Sequence, residues 1–481
     1  MIGKQDRWQE DIFVACRLRD LVPEDHILKR VDKVLDLSWL RDEVKDLYDE
    51  ENGRPGIDPE AALRLMLAGL YAGITEDRKL MREAQVNIAM RWFAGYRLDE
   101  RLPDHSSLTR IRQRWGRERF RRVFQRTVEA CCKKGLISGD TVHIDATLIR
   151  ADVSWKSITQ RHVEKVLEEN IPDQEPPGDD TKGKGGGRRP KAPKVKKYSP
   201  TDPDATMATS NRNYHLEPSY KAHTAVDDKA GVIVDAEVTT GEASEGKELL
   251  GQLERVEQAT GIKPTVVTAD CGYAHPANYA ALEEMKIEAL IPPQRESTKC
   301  ARIPLRRFKY NAGYDTVKCP CGKTLRRASK AKKGWVYRAS AGDCGQCALR
   351  RRCVSGTART RSVLIVNGYE ELLRARRRRH KWREREKDLY NRHRFLAEGS
   401  HAEGKTRHGM RRAARRGLAN VAIQVYLVAA VINLKRLAAA AAAALLRSLT
   451  RILREVMGRL GQLGAMRSDL RTNRWAFAVA A

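Results

Sequence analysis

The feature that most constrains this chain is a change of period at Thr141. Before it, apolar residues recur at helical spacing. After it they come in short strand-like runs, and two of these runs, 141–145 and 264–270, end on an aspartate. Residues 222–226 and 232–238 flank the polar, glycine-ended segment 227–231 and read as an antiparallel hairpin. A helical pattern over 245–260, the strand 264–270, a helix near 276–285 and a strand at 287–291 follow, the last stopped by Pro292 and Pro293. An antiparallel pair joined to βα units specifies an α/β domain, a mixed sheet with helices on its faces. Helix returns over 382–405 and again over 418–446, and 481 residues leave room for about three domains.

The first 135 residues form a separate helical block. Ile57, Asp58 and Pro59 supply an apolar N′ residue, an N-cap and a proline at the first helical position; Leu63, Leu65, Met66, Leu67 and Leu70 follow before Ala72 and Gly73 close the helix. A second helix after Thr75 carries Leu80, Met81 and Ala84. A third, after the 103–107 turn, carries Leu108, Ile111 and Trp115 together with Arg110, Arg112 and Arg114. Short helices, tight turns and a basic last helix predict a helix-turn-helix-like DNA reader contacting DNA through Arg110, Arg112 and Arg114; a helical bundle with a solvated basic face is the alternative.

Charge points the same way. Lys and Arg number 91 against 62 Asp and Glu, a net charge of +29, which calls for a polyanionic partner. A 41% hydrophobic content excludes wholesale disorder. The longest apolar stretches, 418–434 and 437–446, are broken by Asn420, Gln424, Asn433, Lys435 and Arg436, so they read as buried or assembly helices and no membrane span is expected. Nothing near Met1 resembles the apolar core of a secretory signal, and the expected location is the cytoplasm, at the nucleoid.

Two segments interrupt the α/β pattern. Residues 176–203 are rich in Gly, Pro and Lys and predict a flexible basic insertion. Residues 297–384 hold five of the ten cysteines and an arginine run, 374–385, suited to phosphate contact. Cys344, Cys347 and Cys353, with Cys319 and with Cys321 as its substitute, suit a structural tetrahedral Zn²⁺; reduced, metal-free thiols are the other reading.

Asp145 and Asp270 close two strands, and Glu398 lies on a later helix. Neighbouring strands would bring both aspartates to one sheet edge. Three acids converging there suit hard divalent ions such as Mg²⁺ or Mn²⁺, and two such ions about 3.5–4 Å apart can activate water and stabilise a leaving phosphate oxygen. Taken singly, strand-end acids also cap loops, and Asp152, Asp227, Asp235 and Glu403 are rivals for the same role.

The segment Arg394-Phe395-Leu396-Ala397-Glu398, then Lys405, then 412–418 and 433–437, resembles the C-terminal signature of bacterial insertion-sequence DDE transposases of the IS-four/IS-five type. Arg394, Glu398 and Lys405 match the R, E and K of that family's Y-x2-R-x3-E-x6-K motif; its tyrosine position is held by Asn391, with Tyr390 one residue away. Residues 143–152 are similar to the family's first-acid strand, with Ala146 where glycine is usual; 268–273 are similar to its second-acid element, and 55–112 to its helical N-terminal domain. The resemblance implies an RNase-H-like mixed-sheet catalytic domain over 136–296 and 385–437, a helical DNA-binding domain over 1–135, a Cys-rich insertion over 297–384 and a helical tail over 438–481. It implies Asp145, Asp270 and Glu398 as acids holding two Mg²⁺ or Mn²⁺ ions, with Arg394 and Lys405 beside them and Tyr273 placed to stack on a base. The partners implied are double-stranded DNA, as element inverted repeats and target, and a second copy of the chain, and the activity is strand cleavage and transfer. A domesticated, non-catalytic DNA-binding protein and a plain metal-dependent nuclease are the rivals.

Overall fold

The computed structural model describes residues 16–49, 56–162, 195–209, 215–294, 302–356 and 358–478. They fall into two compact units, 1–119 with 430–481, and 120–429. Most of the basic insertion expected at 176–203 lies outside the described residues.

In the larger unit the strands are β1 (Thr141–Arg150), β2 (Thr159–His162), β3 (Val195–Tyr198), β4 (Thr206–Ala208), β5 (Glu217–Asp227), β6 (Ile233–Thr240), β7 (Val266–Ala269) and β8 (Glu288–Leu290). β1 runs antiparallel to β5, and β4 and β6 share the other edge of β5. On its remaining side β1 pairs in parallel with β7, and β7 with β8. The six strands make the expected mixed sheet. β2 and β3 form a separate ribbon.

The sequence dictates this order. Val142, Ile144, Val267, Ala269 and Leu290 are buried without remainder, as central strands covered on both faces require. Each such aliphatic side chain contributes roughly 1.5–3 kcal/mol relative to exposure. Parallel pairing demands crossovers, and the helices Glu245–Thr260 and Pro276–Glu284 supply them, the first packed on β6 through Leu249, Leu253 and Val256.

Between β8 and the C-terminal helices a second sheet intervenes, an antiparallel meander of β9 (Lys309–Asn311), β10 (Thr316–Lys318), β11 (Thr324–Ala331), β12 (Gly334–Arg338) and β13 (Ser362–Val366). Helix resumes at Tyr369–His380 and Glu384–His393, passes through a π-helical turn, Arg394–Glu398, and continues as Gly399–Arg407.

The smaller unit is helical, as expected. Asp58 Oδ1 accepts from the Glu60 amide at 2.9 Å and so caps Pro59–Tyr71, whose Leu63, Leu65 and Leu67 are buried with Leu40, Phe93 and Trp115. The helix His105–Lys133 is kinked at Gly116, where φ is 69°. The closing helix, Leu418–Ala478, belongs to this unit from Ala430 on; Tyr71 donates to the Val431 carbonyl at 3.2 Å. Its apolar stretch is long enough to cross a membrane, but 78% of it is buried within the protein, as in a core helix.

Candidate active site

Register sets the first two acids side by side. In the parallel pair His143 stands opposite Thr268 and Ile144 opposite Ala269, which makes Asp145 and Asp270 the next residues along. Asp145 has 16% of its side chain exposed; its Oδ1 accepts from the Ala146 amide at 2.8 Å, and its Oδ2 lies 3.3 Å from His401 Nδ1. Burial works to raise the pKa of this carboxyl, but the hydrogen bond and charge of His401, with His393 and the Ala146 amide, outweigh it and hold the group below the usual range. Asp270 caps the turn Cys271–Tyr273, its Oδ1 accepting from the Gly272 amide at 2.8 Å. Its pKa is raised, first by burial and then by the charges of Glu245 and Asp145, against the opposing Gly272 hydrogen bond.

Glu398 is exposed at the end of the π turn, which packs on β1 and β5. His401 ties the next turn to the sheet. A carboxylate only accepts, so its Nδ1 carries the hydrogen toward Asp145, and in the neutral ring Nε2 accepts from Thr224 Oγ1 at 2.7 Å. Arg394 is exposed at the start of the same turn. Lys405, a turn beyond His401, is half-buried; burial lowers its pKa and the nearby Asp145 charge opposes that shift. Tyr390 stacks flat on His393, ring centroids 6.1 Å apart, and its phenol is raised by burial and then by the charges of Asp270, Cys271 and Glu398.

Behind the acids runs a buried polar chain. His143 Nε2 meets Asp228 at 2.9 Å, its Nδ1 meets Thr268 Oγ1 at 2.7 Å, and Thr268 Oγ1 meets His393 Nδ1 at 2.9 Å. Asp228 is also paired with Arg392 at 3.0 Å, so the helix bearing the third acid is bolted to β1 and β7 at both ends of the chain. Burial keeps both rings neutral, His393 down to about 4.

Sequence reasoning missed His401, His393, Glu245 and Tyr390 as neighbours of the site. His143 was legible, two residues before Asp145 on the same strand face, and so was His401, three residues after Glu398 on a helix.

Three expectations are corrected. Tyr273 is wholly buried, and among the described residues its hydroxyl has no hydrogen-bond partner, so it is a core residue and not a stacking platform for a base. Arg112 is 6% exposed and forms a two-pronged pair with Asp77 at 2.8 and 3.0 Å, which removes it from any DNA-facing set; Arg110 and Arg114 are exposed, the latter 4.7 Å above the Tyr48 ring. Part of the arginine run 374–385 is used internally: Arg374 pairs with Glu283 at 2.7 Å, Arg385 with Glu288 at 3.2 Å, and Arg379 lies 3.9 Å over Trp382.

Cys319, Cys344, Cys347 and Cys353 line one cavity of about 30 Å³, but so does Cys321, and the closest thiols are Cys321 and Cys347 at 3.3 Å. Among the described residues, neither these thiols nor the acids form a group of three or more donors already closed on one point. The donor chemistry at the sheet edge nevertheless fits a divalent ion: hard carboxylate oxygens grouped over a buried, unpartnered hydroxyl.

Two aspartates thus stand at the ends of adjacent strands of a mixed sheet, and the turn that bears Glu398 packs on β1 and β5. Residues 16–114 match the family described as Transposase domain (DUF772), and 318–438 match Transposase DDE domain. Two separate parts of the chain are thus similar to transposase domains, the second of them of the DDE type. No curated protein matches it. Among solved structures it is similar at 11% identity to the piggyBac transposase synaptic complex with hairpin DNA, over 85% of this chain and 74% of that one, TM-score 0.28. It is also similar, at 14% identity, to the Mos1 mariner paired-end complex with Mn, over 52% of this chain, TM-score 0.16. The chain spans 64% of that Mos1 chain.

Proposed function

We propose that this transposase cuts and rejoins DNA phosphodiester backbones at the ends of an insertion sequence, with Asp145, Asp270 and Glu398 holding two Mg²⁺ or Mn²⁺ ions. The observation that carries the reading is the β1–β7 register, which leaves Asp145 and Asp270 as the next residues past its last pair, with His401, three residues after Glu398, held against Asp145. When bound, the ions supply an activated water or 3′-hydroxyl and neutralise the leaving oxygen. The chain's own residues do the rest. His401 and the Ala146 amide keep Asp145 ionised and aimed; the Gly272 amide aims Asp270. Lys405 and Arg394 offer cations to the scissile phosphates. Arg110 and Arg114 give phosphate contacts in the helical block, which binds the inverted repeats. Two ends cut and joined together call for a homodimer acting on double-stranded DNA at the nucleoid.

The cysteine cavity has room for one ion, and we read it as a structural Zn²⁺ site in which four of the five thiols turn inward. Metal analysis of the purified protein tests this: about one Zn per chain is expected, and zinc-free protein with all thiols titratable refutes it.

Strand cleavage and joining are assayed on DNA flanking the source gene, with Mg²⁺ or EDTA, using wild type and Asp270→Asn. Metal-dependent, end-specific nicking that the variant loses while still binding DNA is expected. Retained cleavage in Asp270→Asn sinks the assignment, and cleavage without end pairing or joining reduces the protein to a nuclease.

A further inference from the structure

The three acids of the DDE set are not the only carboxylates at this edge. Glu245 opens the helix Glu245–Thr260 directly after β6, and its side chain reaches the Asp270 turn. A methyl group built on Gly272 would meet Glu245 Oε2 at 2.5 Å and Asp270 Oδ1 at 2.9 Å, so the two carboxylate oxygens are close neighbours around the space that this glycine leaves open. The other oxygen, Oε1, is neutralised by Lys221 at 3.0 Å, and Lys221 is itself fixed by donating to the Ala243 carbonyl at 2.8 Å. A second, independent feature marks the same place. The Tyr273 hydroxyl is fully buried and has no hydrogen-bond partner among the described residues, and the charges of Asp145, Glu245 and Asp270 act on it together. A buried hydroxyl without a partner destabilises the fold, and a bound ligand that satisfies it removes that cost.

We infer that Glu245 is a fourth carboxylate of the metal site, sharing with Asp270 the divalent ion next to Gly272. The inference rests on the metal-dependent strand chemistry proposed above. Like charges this close repel one another, and Lys221 offsets the charge of Glu245 but leaves Asp270 without a cation of its own; a divalent cation held by both carboxylates would offset the two together. The glycine at 272 is then a requirement of the site, since any side chain there would occupy the ion's approach.

The test is Mn²⁺ binding to the full chain without DNA, read as loss of the free-ion electron paramagnetic resonance signal, for wild type, Glu245→Gln, Glu245→Asp and Asp270→Asn. Affinity falling ten- to a hundredfold in Glu245→Gln, and less in Glu245→Asp, is expected, with strand cleavage by Glu245→Gln recovering at high Mn²⁺. Unchanged affinity in Glu245→Gln with weakened binding in Asp270→Asn overturns this inference alone. Unchanged affinity in both overturns the site reading beneath it. Should Glu245→Gln fail to fold, Lys221→Met decides: freeing Oε1 tightens Mn²⁺ binding if Glu245 holds the ion, and leaves it unaltered if it does not.

Discussion

The buried histidine chain behind the acids makes the catalytic unit sensitive to mild acid. His393 is 3% exposed and titrates in the folded chain at about 4, against about 6.5 when unfolded. The unfolded state then binds the extra proton first, so stability rises with pH across this window and is lost as pH falls from about 6.5 toward 4. At pH 7.5 the contribution is under about 0.1 kcal/mol; at pH 5 it amounts to roughly 2 kcal/mol lost. Asparagine places a polar atom where His393 Nδ1 meets Thr268 but does not titrate, so His393→Asn should lose about 2 kcal/mol less than wild type between pH 7.5 and 5. Hydrogen exchange of the β7 amides, Val266–Ala269, at the two pH values reads that difference locally, with every other titrating group common to both proteins. An identical pH dependence in wild type and variant would refute the argument, because it would mean that His393 charges within the folded chain.

Arg112→Ala should strip buried Asp77 of its arginine, with the Thr109 hydroxyl still donating to it, and cost roughly 3–5 kcal/mol, seen as a lowered Tm and poor soluble yield, whereas Arg110→Ala should leave Tm unchanged and weaken DNA binding. Gly272→Ala should displace the Glu245 and Asp270 carboxylates and weaken Mn²⁺ binding by at least about tenfold with an unchanged circular dichroism spectrum. In EDTA, Tyr273→Phe should stabilise the chain by roughly 1–3 kcal/mol, because it removes a buried hydroxyl that no residue satisfies; equal or lower stability by urea titration would show that the hydroxyl is satisfied within the bare chain.

The mixed sheet was legible because its strands announce themselves by local pattern: apolar runs bounded by Gly231, Pro264 and Pro292, with helical spacing between them. The aspartates were legible for the same reason, each closing such a run. Burial of single polar side chains was not. Arg112 sits among five arginines on one helix, and only the fold decides that Asp77 claims it. Tyr273 looked available because it follows an active-site acid; the turn at Cys271–Tyr273 points it inward. Tyr390 falls one residue out of step with the motif it resembles. The π turn at Arg394–Glu398 lies after this offset, in the stretch where Arg394 and Glu398 keep the motif's spacing, while Tyr390 stands on the preceding helix Glu384–His393. No period in the sequence marks that turn. Glu245 was passed over as an ordinary first-turn acid, which by sequence alone it is.

Because the helical unit combines residues 1–119 with 430–481, its fold spans almost the whole length of the chain. On a ribosome adding roughly 5–20 residues per second, the segment ending at Arg119 waits on the order of 15 to 60 s for its closing helix. Val431, Ile432, Leu434 and Leu437, all buried, arrive only after Glu398 has emerged. The helical unit therefore closes only after residues 120–429 of the larger unit have emerged, and a chain terminated before residue 430 lacks the helical unit's closing segment.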